Sequence, residues 1–191
     1  LSQTIELFST PIYITSINVD TDKLIKWAYQ EKEKDPEGRI ITNSGGYQTH
    51  DLNYEDYKFL FDEVTPHIKK FAEQFNYKTG VGLNNFWINI NKNRDYNSLH
   101  VHTNSVFSGV FYIKTPEKCG NIVFKNPFTY LDFIVDPEKI NEKNKYNRSQ
   151  CFFKTESKFL ILFPSWLEHC VEPSSSNEDR ISLSFNLTPS F

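Results

Sequence analysis

The sequence predicts a mainly β protein with helices at its N-terminal end. Many short strands form a sandwich or barrel, and the helices cover one of its sheets. Three observations lead there. Apolar residues recur at helical steps in the first part of the chain and at alternate positions from residue 84 onward. Aromatic residues make up 16% of the chain, with 17 Phe and 10 Tyr, a composition that suits the pleated faces of sheets. The last strand candidate, "RISLSFNL", alternates without a break, and its apolar side requires a cover.

The elements follow in order. The stretch "NVDTDKLIKWAYQEKEKD" reads as a helix capped by Asp20 or Thr21, with Leu24, Ile25, Trp27 and Ala28 as its apolar stripe. A polar, glycine-containing loop, "TNSGGYQTHDLN", comes next. Asn53 is placed to cap a second helix, "YEDYKFLFDEVTPHIKKFAEQF", whose Leu60, Val64, Ile68, Phe71 and Phe75 fall at steps of three or four. Pro66 lies within that pattern and predicts a kink or a break.

Beyond residue 84 the period is two. "FWININ" sets Phe86, Ile88 and Ile90 against Trp87, Asn89 and Asn91. "SVFSGVFYIKT", "NIVFKN", "CFFKT" and "KFLILF" are further strand candidates, for a total of seven or eight. In "RISLSFNL", Ile181, Leu183, Phe185 and Leu187 point one way, and Arg180, Ser182, Ser184 and Asn186 the other. A polar inner face on a central strand is what a ligand cavity requires. The charged segment "VDPEKINEKNKYNRSQ", over 135–150, reads as a solvated loop or as a lid that contacts substrate. The first loop and this one are where substrate recognition is expected.

The 191 residues fit one domain, 1–191, with a sizeable core. A net charge of -3 argues against a general nucleic-acid surface, which would need a basic excess. No stretch reaches the roughly 20 apolar residues that span a bilayer. The opening "LSQTIELFSTPIYI" lacks the basic and apolar regions of a signal peptide, and the absence of Met is read as a start after the initiator residue. Cys119, Cys151 and Cys170 are odd in number and form no CxxC, so reduced thiols and a cytoplasmic location are expected.

The chemistry concentrates on histidines. His50 and His67 read as surface or structural residues. His100 and His102 stand at i and i+2; on a strand they share one face about 7 Å apart, while Val101 turns to the other face and is buried. Two such imidazoles can converge on one cation. His169 follows an apolar strand and a short turn, and the polar turn "PSSSNED" then leads to Arg180. A hairpin of 168–172 with 180–187 would put His169 and Arg180 on neighbouring strands facing one cavity. A buried Arg with no acid on its face needs an anion from outside, and a carboxylate gripped by the guanidinium fork, assisted by Ser182, is the natural one.

The order HxH, distal His and Arg-x-Ser resembles the iron(II)- and 2-oxoglutarate-dependent oxygenases, and within them a small bacterial and phage group. "LFSTPIY", "NSGGYQTHDL", "FWININ", "HVHTNSVFSGVFYI", "GNIVFKNP", "FPSWLEHCVEP" and "RISLSFN" carry the resemblance. It implies a double-stranded β-helix, or jelly roll, backed by helices on its larger sheet. It also implies Fe(II) and 2-oxoglutarate as cofactors, oxidative decarboxylation to succinate and CO2, and hydroxylation of a substrate C–H bond. His100, His102 and His169 become the metal ligands. Arg180 binds the distal carboxylate of 2-oxoglutarate with Ser182, and Tyr112 and Asn89 are further cofactor-binding candidates. Trp87 and Trp166 read as core or cavity wall.

One departure stands out. The broader superfamily has a carboxylate where this chain has His102, and the usual facial triad is two His and one carboxylate. Asp95 and Asn104 are the alternative third ligands. Two other functions stay open at this point. One is a three-His, cupin-like dioxygenase that needs no 2-oxoglutarate; the other is a non-enzymatic jelly-roll module. The substrate, a small molecule or a protein side chain, is not named by the sequence, and neither is the oligomeric state.

Overall fold

The computed structural model describes residues 2–128 and 136–190. Its first helix, α1 (Thr21–Lys34), starts where the sequence places it: the Asp20 side chain accepts from the Lys23 amide at 3.1 Å and satisfies one of the orphan donors of the first turn. Leu24 and Ala28 are buried. The second helix, α2 (Tyr54–Glu73), is capped by Asn53, which accepts from the Glu55 amide.

Of the kink or break expected at Pro66, the break does not occur: α2 continues through it. Pro66 removes one helical hydrogen bond, a cost of about 3 kcal/mol. On either side of it Leu60, Phe61, Val64, Ile68 and Phe71 are all buried in one cluster. At about 1.5–3 kcal/mol for each buried apolar side chain, that stripe outweighs the proline. His67, read as a surface residue, is half-buried, and its ring hydrogen-bonds the Tyr13 hydroxyl at 2.8 Å.

The strands are β1 (Tyr13–Ser16), β2 (Asn43–Ser44), β3 (Tyr47–Gln48), β4 (Val81–Asn91), β5 (Tyr96–His100), β6 (Phe107–Lys114), β7 (Ile122–Lys125), β8 (Gln150–Phe153), β9 (Phe159–Pro164), β10 (His169–Val171) and β11 (Arg180–Pro189). Among the described residues there are thus more strands than the seven or eight predicted. The additions include β2 and β3, two-residue strands inside the stretch read as a polar loop. The strands make two antiparallel sheets, one of six in the order β1-β9-β6-β11-β4-β3 and one of five in the order β2-β5-β10-β7-β8.

The helices cover the six-stranded sheet, as the apolar face of β11 requires. Ile181, Leu183, Phe185 and Leu187 are all buried in one cluster with the stripes of α1 and α2. Phe61 of α2 packs edge-on against both Phe86 and Phe185. Gly109 of β6 permits this closeness: a Cβ there would come within 2.2 Å of Phe185 Cζ and 2.8 Å of Leu162 Cδ2. A second cluster, with Val110, Tyr112, Ile161 and Phe163 of the six-stranded sheet and Ile122 and Phe124 of the other, fills part of the space between the sheets.

Two strand predictions need correction. The hairpin expected between 168–172 and 180–187 does not form. β10 pairs with β5 and β7 in one sheet, while β11 pairs with β4 and β6 in the other. The polar turn carries the chain from sheet to sheet, because β4 and β6 occupy both edges of β11 and leave none for β10. Also, β5 ends at His100, so His102 lies just past the strand, and Val101 is 41% exposed where burial was expected.

Candidate active site

A pocket lies between the two sheets, and residues from both line it. On the five-stranded side, His100 and His169 are direct cross-strand partners. Between this pair and the next, Asn97 with Val171, β5 holds one more residue than β10. The extra residue is a bulge, a device that re-aims side chains. Here it brings His100 to the pocket with its ring centroid 4.2 Å from that of His169. His102 follows past the strand end, its amide donating to the Ser165 carbonyl at 2.9 Å. Its ring lies 5.0 Å from His100 and 5.1 Å from His169.

The ligand atoms of His100, His102 and His169 all lie within 4.8 Å of one another. Two of the tautomers are fixed. His100 Nδ1 is 2.7 Å from the Ser98 carbonyl, and His169 Nδ1 is 2.9 Å from the Leu167 carbonyl. A carbonyl only accepts, so each Nδ1 carries the proton and each Nε2 keeps a lone pair for a cation. Burial pushes all three imidazoles below their ordinary value, His102 to about 4 and His169 to about 3, so each is neutral and ready to ligate at pH 7. Phe163 packs on His169 at 4.6 Å, and Trp87 lies 5.8 Å from His102.

The six-stranded sheet supplies the opposite wall. Register places Asn89 of β4, Ser182 of β11 and Tyr112 of β6 in one row, with Ser184 flanked by Trp87 and Val110 in the next. Asn89 Nδ2 donates to Ser184 Oγ at 3.3 Å, while its buried Oδ1 has no partner among the described residues. Arg180 opens the strand and is 1% exposed. Its Nη1 donates to the Cys119 carbonyl at 2.7 Å. The turn that presents this carbonyl ends in Gly120 at φ +86°, and a Cβ there would meet the Glu172 carbonyl oxygen at 2.3 Å. Burial pushes the guanidinium below its ordinary value, and burial also pushes the Tyr112 hydroxyl up.

All seven residues singled out from the sequence therefore line one pocket: His100, His102, His169, Arg180, Ser182, Tyr112 and Asn89. Asp95 and Asn104 do not. Asp95 accepts from the Lys92 amide at 2.6 Å in the turn before β5, and Asn104 sits in a turn at φ 58°. Thr42 and Asn97, joined by a 3.4 Å hydrogen bond, complete the wall and were not found from sequence. Asn97 carries no motif, and its odd spacing from His100 would set it on the opposite face of a regular strand; the bulge between them removes that signal. Thr42 comes from the glycine-containing loop. The described part of the 135–150 segment contributes nothing to the pocket; residue 135 lies outside the described residues.

The donor set fits a divalent cation. Three neutral imidazoles converge, and imidazole suits iron(II). A buried guanidinium and three polar side chains opposite fit a small dicarboxylate. A family model described as "Putative 2OG-Fe(II) oxygenase" matches residues 85–186, more than half of the chain. The chain belongs to this family. It is a 2OG-Fe(II) oxygenase, an oxidoreductase dependent on iron(II) and 2-oxoglutarate.

Solved structures resemble the oxygenase over nearly its whole length. A prolyl-4-hydroxylase of Pseudomonas putida aligns with a TM-score of 0.64 at 13% identity, covering 97% of this chain and 96% of that one. The viral collagen prolyl hydroxylase of Paramecium bursaria Chlorella virus-1 aligns with a TM-score of 0.60 at 14% identity over 92% and 94%. HygX of Streptomyces hygroscopicus, solved with nickel and 2-oxoglutarate, aligns with a TM-score of 0.63 at 11% identity over 95% and 84%. At these identities the likeness concerns the fold. No curated protein matches the oxygenase in sequence.

Proposed function

We propose that the oxygenase hydroxylates a C–H bond of a small molecule or a protein side chain while 2-oxoglutarate is decarboxylated to succinate and CO2. In this reading the two sheets form a double-stranded β-helix within one domain spanning 1–191. His100, His102 and His169 hold iron(II) through their ring nitrogens. Arg180 pairs with the distal carboxylate of 2-oxoglutarate, and Tyr112, Ser182 and Asn89 hydrogen-bond the cosubstrate from one row of the sheet. When bound, iron(II) with 2-oxoglutarate supplies the activation of dioxygen. The chain's own residues supply position: they fix the tautomers of His100 and His169, exclude water with Phe163 and Trp87, and bring Arg180 into the pocket that the imidazoles line.

The observation that carries this reading is the placement of a three-imidazole cluster and a buried arginine on facing sheets of one pocket. Three free cysteines support a reducing, cytoplasmic setting. The described helices are not long and apolar enough to cross a membrane. The test is 2-oxoglutarate binding and its conversion to succinate and CO2 with iron(II), in the parent enzyme and in Arg180→Ala. Binding and turnover in the parent, both lost in a folded Arg180→Ala, are expected. No binding in the parent, or equal binding in the variant, overturns the assignment.

A further inference from the structure

We infer that the metal and 2-oxoglutarate bind this site as a charge-coupled pair, the three-imidazole centre holding a divalent cation weakly by itself and tightly once the dianion is present. The inference rests on the site assignment proposed above. It starts from the charges that line the pocket. Among the described residues no Asp or Glu does so. The single lining group with a full charge at pH 7 is Arg180, which is 1% exposed and makes its hydrogen bond to a neutral carbonyl, that of Cys119. The carboxylate whose field reaches Arg180 is that of Asp95, which lies outside the pocket lining and accepts from the Lys92 amide.

A divalent cation entering this pocket meets three imidazoles and one like charge, that of the buried Arg180. The usual facial triad brings a carboxylate that cancels part of the cation's charge. Here no described residue that lines the pocket does. The dianion of 2-oxoglutarate supplies the missing charge at both ends, beside the metal and at Arg180. Interactions between charges are strengthened where water is scarce, so the two ligands stabilise one another. By linkage, each raises the affinity of the other by the same factor. A carboxylate added to the pocket wall must weaken that mutual effect, because it neutralises the cation before 2-oxoglutarate arrives.

Two variants add one carboxylate each. His102→Asp restores the charge of the usual triad. Asn97→Asp keeps all three imidazoles and is nearly isosteric, at a lining position. Manganese(II), which resists oxidation, is titrated calorimetrically into each protein with and without saturating 2-oxoglutarate, after circular dichroism has verified folding. In the parent enzyme 2-oxoglutarate should tighten manganese(II) binding at least tenfold more than it does in His102→Asp, a difference of about 1.4 kcal/mol. Both variants should bind manganese(II) alone more tightly than the parent does. Asn97→Asp decides the matter if His102→Asp does not fold. A coupling factor equal within twofold in the parent and in the folded variants overturns the inference and leaves the site assignment standing. A parent enzyme that binds neither manganese(II) nor 2-oxoglutarate overturns the assignment itself, and the inference with it.

Discussion

His169 and Arg180, eleven residues apart in the chain, line the same pocket from different sheets. The segment between them crosses from the five-stranded to the six-stranded sheet, so the imidazole wall and the guanidinium wall are held by separate sets of backbone hydrogen bonds. Side chains on one wall can be altered without disturbing the register of the other. That independence makes the site open to single substitutions.

Removing one imidazole should abolish stoichiometric metal binding. His169→Ala or His102→Ala is expected to weaken metal affinity by more than the 10–100-fold typical for losing a mere supporting contact. Asp95→Asn, which keeps an acceptor for the Lys92 amide, should leave the metal content nearly unchanged. Metal analysis after anaerobic loading with iron(II) and desalting, both in saturating 2-oxoglutarate, distinguishes the two. Loss of iron in Asp95→Asn would make Asp95 the third ligand.

Tyr112→Phe removes one hydroxyl from a residue that is otherwise fully packed between the sheets. If that hydroxyl donates to a cosubstrate carboxylate, 2-oxoglutarate affinity should fall by about 1.5–3 kcal/mol, the worth of a hydrogen bond to a charged group. Metal affinity in the absence of cosubstrate should not move. Calorimetric titration of each ligand separately reads both. An unchanged 2-oxoglutarate affinity would reduce Tyr112 to a wall residue.

The metal-free enzyme should lose stability in mild acid. In the folded state burial holds His169 at about 3 and His102 at about 4, while in the unfolded chain both return to the ordinary value of 6.5. Below pH 6.5 the unfolded state therefore binds more protons, and stability falls as pH falls, until the folded-state values are reached. For His169 alone the loss at pH 5 is on the order of 2 kcal/mol. Urea unfolding of metal-free protein between pH 7.5 and 5 measures it, and His169→Gln should flatten the slope. A stability that does not change over that range would contradict the neutral, buried imidazoles.

Glycines of the six-stranded sheet should differ in what they tolerate. Gly109→Ala places a methyl group 2.2 Å from Phe185 and should cost about 1–3 kcal/mol through overpacking. Gly82→Ala meets Ser190 Cβ at 3.9 Å, ordinary contact, and should be neutral or stabilise by up to about 1 kcal/mol. Thermal melts of the two variants test the pair. Equal melting temperatures would mean that the aromatic layer beneath Gly109 yields.

Much of this was legible in the residues. The alternation of "RISLSFNL" told which side of β11 meets the helices and which faces the pocket, because a period of two leaves no other arrangement. The capping residues Asp20 and Asn53 marked both helix starts. Pairing partners were not legible. "PSSSNED" has the composition of a hairpin turn, yet strand neighbours are chosen by contacts far apart in the chain, and β11 finds them in β4 and β6. Strand periodicity put His100 and His102 on one face. The structure instead ends the strand at His100 and reaches convergence through a bulge and a backbone bond to Ser165. Pro66 failed as a breaker because propensity is local and the apolar stripe of α2 is not.

The position of β11 also bears on how the enzyme is made. β11 lies between β6 and β4 in its sheet and follows both in the chain. During synthesis, then, the ribosome delivers the middle of the sheet after its flanks. Until residues 180–189 emerge, β4 and β6 each present a bare inner edge of unpaired amides and carbonyls, with the apolar faces of α1 and α2 only partly covered. Nascent chains in that state are natural clients for holding chaperones. A fragment that stops at residue 179 should show no cooperative thermal transition by circular dichroism, whereas a cooperative melt would mean that the flanking strands close without their centre.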